Sequence, residues 1–221
     1  MPGSFGEHLL QRRPGTVSRA YSFYDHHVLD RLNSRMQEFV ARMDMVFIAT
    51  ADGLGEADCS FRAGPPGFVC VLDERTLTYP QYRGNGVMCS LGNIVENGHI
   101  GLLFSDFCGD PVGLHVNGRA AIVENGKRPD GRLLPFHVLD DLLQEDSRRP
   151  ERWVRVDVEE AYIHCSKHIP KLRRAEVRQG DGNDEAGRTN GDYFKAKHAS
   201  RPGVDGGAAG RSDRRVKGSR Q

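Results

Sequence analysis

Little in this 221-residue chain points to a membrane, a disulfide scaffold or a nucleic acid. No run of about 18 apolar residues occurs, so nothing reads as a membrane-spanning helix. The first fifteen residues, MPGSFGEHLLQRRPG, lack the continuous apolar stretch of a secretory signal. The five cysteines (Cys59, Cys70, Cys89, Cys108 and Cys165) are odd in number, widely spaced and without a Cys-x-x-Cys pair. That pattern argues against a disulfide framework and a structural zinc site, and for reduced thiols in the cytoplasm. The formal net charge of +1 offers no excess of positive charge for nucleic acid or an anionic membrane. Hydrophobic residues make up only 38%, and the shortfall is concentrated at the C-terminus, which leaves the rest enough to build a core.

Residues 175–221 carry nine glycines, ten Lys/Arg and seven Asp/Glu, with Tyr193 and Phe194 the only aromatics. Such a segment buries too little apolar surface to offset its ordering entropy, so 174–221 is expected to be a disordered tail. Residues 1–23, polar and punctuated by Pro2, Gly3, Pro14 and Gly15, read as a flexible leader, leaving 24–173 as the folded domain. Within it, Val28, Leu32, Met36, Phe39, Val40 and Met43 recur at helical spacing after a possible cap at Asp25, which predicts one helix to about Met43. Short strands are expected at 45–50, 58–62, 67–72 and 76–79. Longer ones are expected at 99–107 and 112–124, joined by the Gly109-Asp110-Pro111 turn, and a last one at 153–158. Helices are expected at 87–96, closed by Asn97-Gly98, and at 133–144. Many short strands, glycine-rich turns and few helices indicate a mainly β (α+β) fold: a barrel or sandwich with helices at its edges.

The loop Tyr82-Arg83-Gly84-Asn85-Gly86 sets a guanidinium, an amide and two glycines just before a helix. Free N–H groups at a helix N-terminus favour an anion, and arginine can grip phosphate with two donors. On spacing alone, an ordinary turn with a solvated arginine is the better account of the loop, because short loops of glycine and a basic residue are common. Ser60 and Arg62 fall on one face of a strand. His115 alternates with apolar neighbours, as core or interface histidines do. His164, Cys165, Lys167 and His168 form a polar cluster that fits no standard zinc spacing.

In combination, four segments resemble the pyridoxamine 5′-phosphate oxidase-like family of flavin-binding split barrels. They are DCSFRAGPPGFVCVLD at 58–73, TLTYPQYRGNGVMCSLGNIVENGHIGLLF at 76–104, VGLHVNGRAAIVE at 112–124 and VEEAYIHCSKHIPKL at 158–172. Asn85 stands where that family often has a lysine, and Asn97-Gly98 replaces a frequent Asn-Pro. The resemblance implies a six-stranded split β-barrel with flanking helices that holds flavin mononucleotide (FMN) non-covalently at a homodimer interface. It implies cofactor contacts from Ser60, Arg62, Tyr79, Tyr82, Arg83, Asn85, Gly86 and Lys167, with no metal and no assigned catalytic side chain. Ser60 would donate to a flavin carbonyl or phosphate oxygen, and Arg62 would meet phosphate or place positive charge near the ring. The activity implied is FMN-dependent oxidoreduction of a small molecule. The alternatives are a deazaflavin-dependent reductase, or a non-enzymatic haem- or flavin-binding protein with His115, His164 or His168 as iron ligand. No nucleic-acid or membrane partner is expected.

Overall fold

The structure is a computed structural model that describes residues 2–12, 14–124 and 150–174. The sequence-predicted helix at 133–144 and the tail from 175 onward lie outside the described residues. All described elements belong to one compact unit, 1–174.

Seven strands form one antiparallel sheet: β1 Met45–Ala51, β2 Ala57–Ala63, β3 Cys70–Asp73, β4 Thr76–Gln81, β5 His99–Asp106, β6 Val112–Glu124 and β7 Arg152–His164. Their spatial order is β2-β1-β5-β6-β7-β4-β3, one strand more than the six expected. Laid flat, this sheet would separate its two edge strands by about 29 Å at the usual spacing between strands. The chain between Ala63 and Cys70 spans at most about 24 Å when fully extended. It is not extended: Gly64 N donates to Asp44 O, Gly67 N to Met43 O and Phe68 N to Pro65 O. The sheet must therefore curl, which is the split-barrel form. Phe68 and Val69 turn into the barrel from this connection and are almost fully buried.

The inner face follows the period-two pattern of half-buried strands. Val46 and Ile48 of β1, Ile100, Leu102 and Phe104 of β5, Leu114 and Val116 of β6, and Val154, Val156 and Val158 of β7 fill the core. β4 is buried on both faces from Thr76 to Pro80, which draws Tyr79 into the core at 1% exposure.

The curvature has a local cause in the β6–β7 pairing. The register shifts between Asn117, opposite Glu160, and Gly118, opposite Val158, so Glu159 is the extra residue of a β-bulge. A Cβ on Gly118 would fall well inside the van der Waals contact distance of the Asp157 carbonyl oxygen. Only glycine permits this approach.

The leader contains α1 Phe5–Arg12 and most of α2 Val17–His27. The single helix to Met43 is broken, because the chain leaves α2 at His27 and α3 is Ser34–Arg42. Between them Leu29 exchanges two backbone hydrogen bonds with Ala161 of β7, at 3.0 and 2.7 Å, and Leu32 N donates to Glu74 O. The cap is Asn33, whose side chain accepts from Met36 N at 3.0 Å, rather than Asp25. Val28, Leu32 and Met36 keep helical spacing through the break, so the apolar pattern concealed it. No helix among the described residues is long and apolar enough to cross a membrane.

Gly118→Ala should destabilise the protein by about 1–3 kcal/mol and lower its Tm by roughly 2–12 °C. A calorimetric scan checks this against Gly101→Ala, where the new Cβ meets only side-chain atoms, the Asn117 oxygen at 3.3 Å and Ala49 Cβ at 4.0 Å. Gly101→Ala should change the melt far less.

Candidate functional site

A cleft of about 700 Å3 opens where β4 runs out into the loop before α4 (Cys89–Glu96). Its walls are the 81–91 segment, Ser60 and Arg62 of β2, and Glu151 and Arg152 at the start of β7. Long-range pairing assembles it. β1 pairs with β2 so that Arg62, Ser60 and Asp58 stand opposite the buried Val46, Ile48 and Thr50, on the inner face. Pairing of β4 with β7 sets Arg152 opposite Gln81.

The loop residues have local reasons for their places. Asn85 Oδ1 accepts from Val87 N at 3.0 Å, which closes a tight turn. Gly86 has φ +83°, a left-handed angle that favours glycine. Met88 also lies in the left-handed region, at φ 55°, and precedes α4 without offering a side-chain cap. The first amides of α4 therefore keep their donors for another acceptor.

α4 rests on the sheet through polar contacts as well as through Leu91 and Ile94. Asn93 Nδ2 donates to Thr50 Oγ1 at 3.1 Å, and both residues are buried. Ser90, only 4% exposed, meets Ser60 Oγ at 3.2 Å and Asp58 Oδ2 at 3.4 Å. Arg62 lies across this cluster. Its Nη2 donates to Ser90 Oγ at 3.4 Å and its Nη1 to Phe61 O at 3.0 Å. Its Nε is buried and has no acceptor among the described residues. A buried donor left unmade is costly, and a bound anion is a natural acceptor for it. Arg83 lies exposed at the rim. With Arg62, Arg83 and Arg152 against Glu151, the cleft carries an excess of positive charge.

Of the sequence-predicted site residues, Ser60, Arg62, Tyr82, Arg83, Asn85 and Gly86 all line this cleft. Tyr79 and Lys167 do not. Tyr79 faces the core, where burial pushes its phenol well above the ordinary range and the nearby Arg62 charge opposes that shift. Lys167 is exposed on the 3-10 turn Ser166–His168, beyond the far end of β7 from Arg152. Sequence reasoning missed Asp58, Gln81, Cys89, Ser90 and Arg152. Asp58 was legible in principle, two residues before Ser60 on the same face; Ser90 and Arg152 arrive only through tertiary pairing.

The histidines lie elsewhere. His115 Nε2 and His164 Nδ1 share a hydrogen bond at 2.8 Å, and His115 stacks on Tyr162 with centroids 4.8 Å apart. Burial, then the neighbouring His164, lowers the His115 pKa. His168 is exposed on the 3-10 turn. Among the described residues no group of three or more His, Cys, Asp or Glu could hold a metal ion.

All five cysteines are unpaired, and Cys70 alone is buried, its thiol pushed up to about 11 by desolvation. A thiol reagent at neutral pH should label Cys59, Cys89, Cys108 and Cys165 quickly and Cys70 slowly in the native protein, read by mass spectrometry of digests.

No curated protein matches the sequence. Solved structures with similar folds include HupZ of Group A Streptococcus, at 17% identity and TM-score 0.44, covering 65% of this chain and 99% of that one. A Clostridium acetobutylicum protein related to general stress protein 26, of the pyridoxinephosphate oxidase family, is 14% identical with TM-score 0.43, covering 62% and 89%. HutZ of Vibrio cholerae, described as a heme storage protein, is 13% identical with TM-score 0.39, covering 61% and 94%. A family model described as pyridoxamine 5′-phosphate oxidase matches residues 32–165, from the approach to α3 through the end of β7 and more than half of the sequence. The chain belongs to the pyridoxamine 5′-phosphate oxidase family.

Proposed function

We propose that this protein is an FMN-binding oxidoreductase, with the flavin phosphate held in the cleft between β2, the 82–88 loop and α4. The observation that carries this reading is the buried, unmade donor Arg62 Nε beside a helix start without a side-chain cap, in a cleft lined by three arginines. Those groups suit a dianionic phosphate: fixed N–H donors, guanidinium charge and a glycine turn that lets the ligand approach the backbone. Bound FMN would supply hydride or electron transfer to or from a small molecule. The protein's part is to grip the phosphate with Arg62, Arg83 and the first amides of α4, and to orient it with Ser60 and Ser90. The free state of all five cysteines supports a reducing, cytoplasmic setting.

The functional unit in this proposal is a homodimer. A cross-strand row on the outer face of the sheet supports it: Phe61, Phe47, Leu103, His115 and Tyr162 stand opposite one another in register across β2, β1, β5, β6 and β7. Phe23 of α2 packs edge-on to Tyr162 at 6.1 Å, which covers one end of the row. At the other end Phe61 remains 50% exposed and rests on Phe47 with centroids 5.3 Å apart. An open aromatic surface of this kind suits a self-complementary interface.

Arg83→Ala should weaken FMN roughly ten- to hundredfold, the worth of a charge-assisted contact of about 1.5–3 kcal/mol, and leave riboflavin nearly unchanged. Fluorescence titration of both ligands tests this. Equal losses for the two would move the phosphate to another site. FMN should also slow thiol labelling of Cys89, which lines the cleft, without protecting Cys108 or Cys165. For the assembly, light scattering should report a dimer for the unaltered chain and a folded monomer for Phe61→Asp. A cofactor-loaded monomer of the unaltered chain would refute the dimer.

A further inference from the structure

A carboxylate lies beside the cleft, hydrogen-bonded to Ser60 and Ser90 of its lining, and the phosphate reading gives it no role. Asp58 stands on the inner face of β2, two residues before Ser60 and opposite Thr50. Its Oδ2 accepts from Ser60 Oγ at 3.0 Å and from Ser90 Oγ at 3.4 Å. Ser90 Oγ in turn receives Arg62 Nη2 at 3.4 Å and lies 3.2 Å from Ser60 Oγ. Asp58 thus ends a chain that starts at a guanidinium and passes through two hydroxyls. No ion pair to Asp58 forms among the described residues, so its charge is answered through that chain. Cys89, at the first position of α4, also feels it: burial, then the Asp58 charge and a hydrogen bond to it, raise the thiol pKa.

The hydroxyl protons of this cluster are already committed. Each serine hydroxyl has one proton to give. With Asp58 ionised, Ser60 gives its proton to the carboxylate, and Ser90 gives its own to the carboxylate or to Ser60. Neither retains a donor for a ligand oxygen. A phosphate entering the cleft must turn these hydroxyls away from Asp58, and it brings negative charge close to a carboxylate already in place.

We propose that Asp58 is a resident counter-anion of the cleft, occupying the donors that a phosphate would use and thereby setting how tightly the cleft holds a phosphorylated ligand. The inference rests on the cleft being the flavin phosphate site. It makes Asp58 a specificity-determining residue that narrows the advantage of FMN over riboflavin.

The test is a fluorescence titration of the full chain with FMN and with riboflavin, in the unaltered protein, Asp58→Asn, Ser90→Ala and the double variant. Asp58→Asn keeps the shape and removes the charge. It should tighten FMN by about three- to tenfold at low salt, less at high salt, and leave riboflavin unchanged. Inorganic phosphate should compete with FMN at correspondingly lower concentration. Ser90→Ala should cost less in the unaltered background than in Asp58→Asn, where an amide Nδ2 in the place of Asp58 Oδ2 donates to the serine hydroxyls and leaves their protons for the ligand. Asp58→Ser serves the same purpose if the asparagine variant melts early. FMN binding unchanged or weakened in folded Asp58→Asn would overturn the inference, as would an equal gain for riboflavin or an equal cost of Ser90→Ala in both backgrounds. An unaltered protein that binds neither flavin would overturn the flavin reading and this inference with it.

Discussion

The close approach of Gly118 to the Asp157 carbonyl is the constraint on which much of this structure depends. β6 and β7 make the longest pairing in the sheet, thirteen residues each, and the bulge at Glu159 bends it. The curl brings the β2 edge and the β3 edge within reach of the short connection that joins them. It also turns the inner face of β2 under α4, so that the half-buried Asp58, Ser60 and Arg62 meet Ser90. The cleft is therefore a product of sheet curvature as much as of the loop that borders it.

The edge strand is also where the core gives way to chemistry. β1 fills its inward positions with Val46, Ile48 and Thr50, whereas β2 fills the paired positions with Arg62, Ser60 and Asp58. Burying such groups is tolerated only when they are hydrogen-bonded. Here the bonds run among the cluster and to α4, and the Arg62 Nε is left over. A sheet edge that gives up hydrophobic packing for a polar cluster beneath an uncapped helix is well placed to bind an anion, and poorly explained as a purely structural element.

The sequence carried the fold class and the family, because alternation is clear wherever one sheet face is buried. The bounds of β6, 112–124, were read directly from it. β7 was read only to Val158, because the bulge sets Glu159 and Glu160 side by side and interrupts the pattern. The break between α2 and α3 was hidden for the opposite reason: a β-bridge at Leu29 interrupts the helix without disturbing its apolar spacing. At the site, residues close in sequence were legible: the 82–86 loop, and Ser60 with Arg62. Tyr79 was misplaced because β4 is covered on both faces, so a tyrosine there points to the core rather than to a ligand. Lys167 was misplaced because it follows β7, whose other end lines the cleft. Arg152 was invisible, since only the β4–β7 register brings it to Gln81.

The central claim is that this cleft holds the phosphate of a flavin. Its most direct test is the absorbance spectrum of the protein purified without added cofactor, with mass identification of whatever small molecule it releases. The account predicts FMN, absorbing in the blue and fluorescing yellow-green once released. A Soret band from haem, a deazaflavin with its shorter-wavelength absorbance, or a released ligand that carries no phosphate would contradict it.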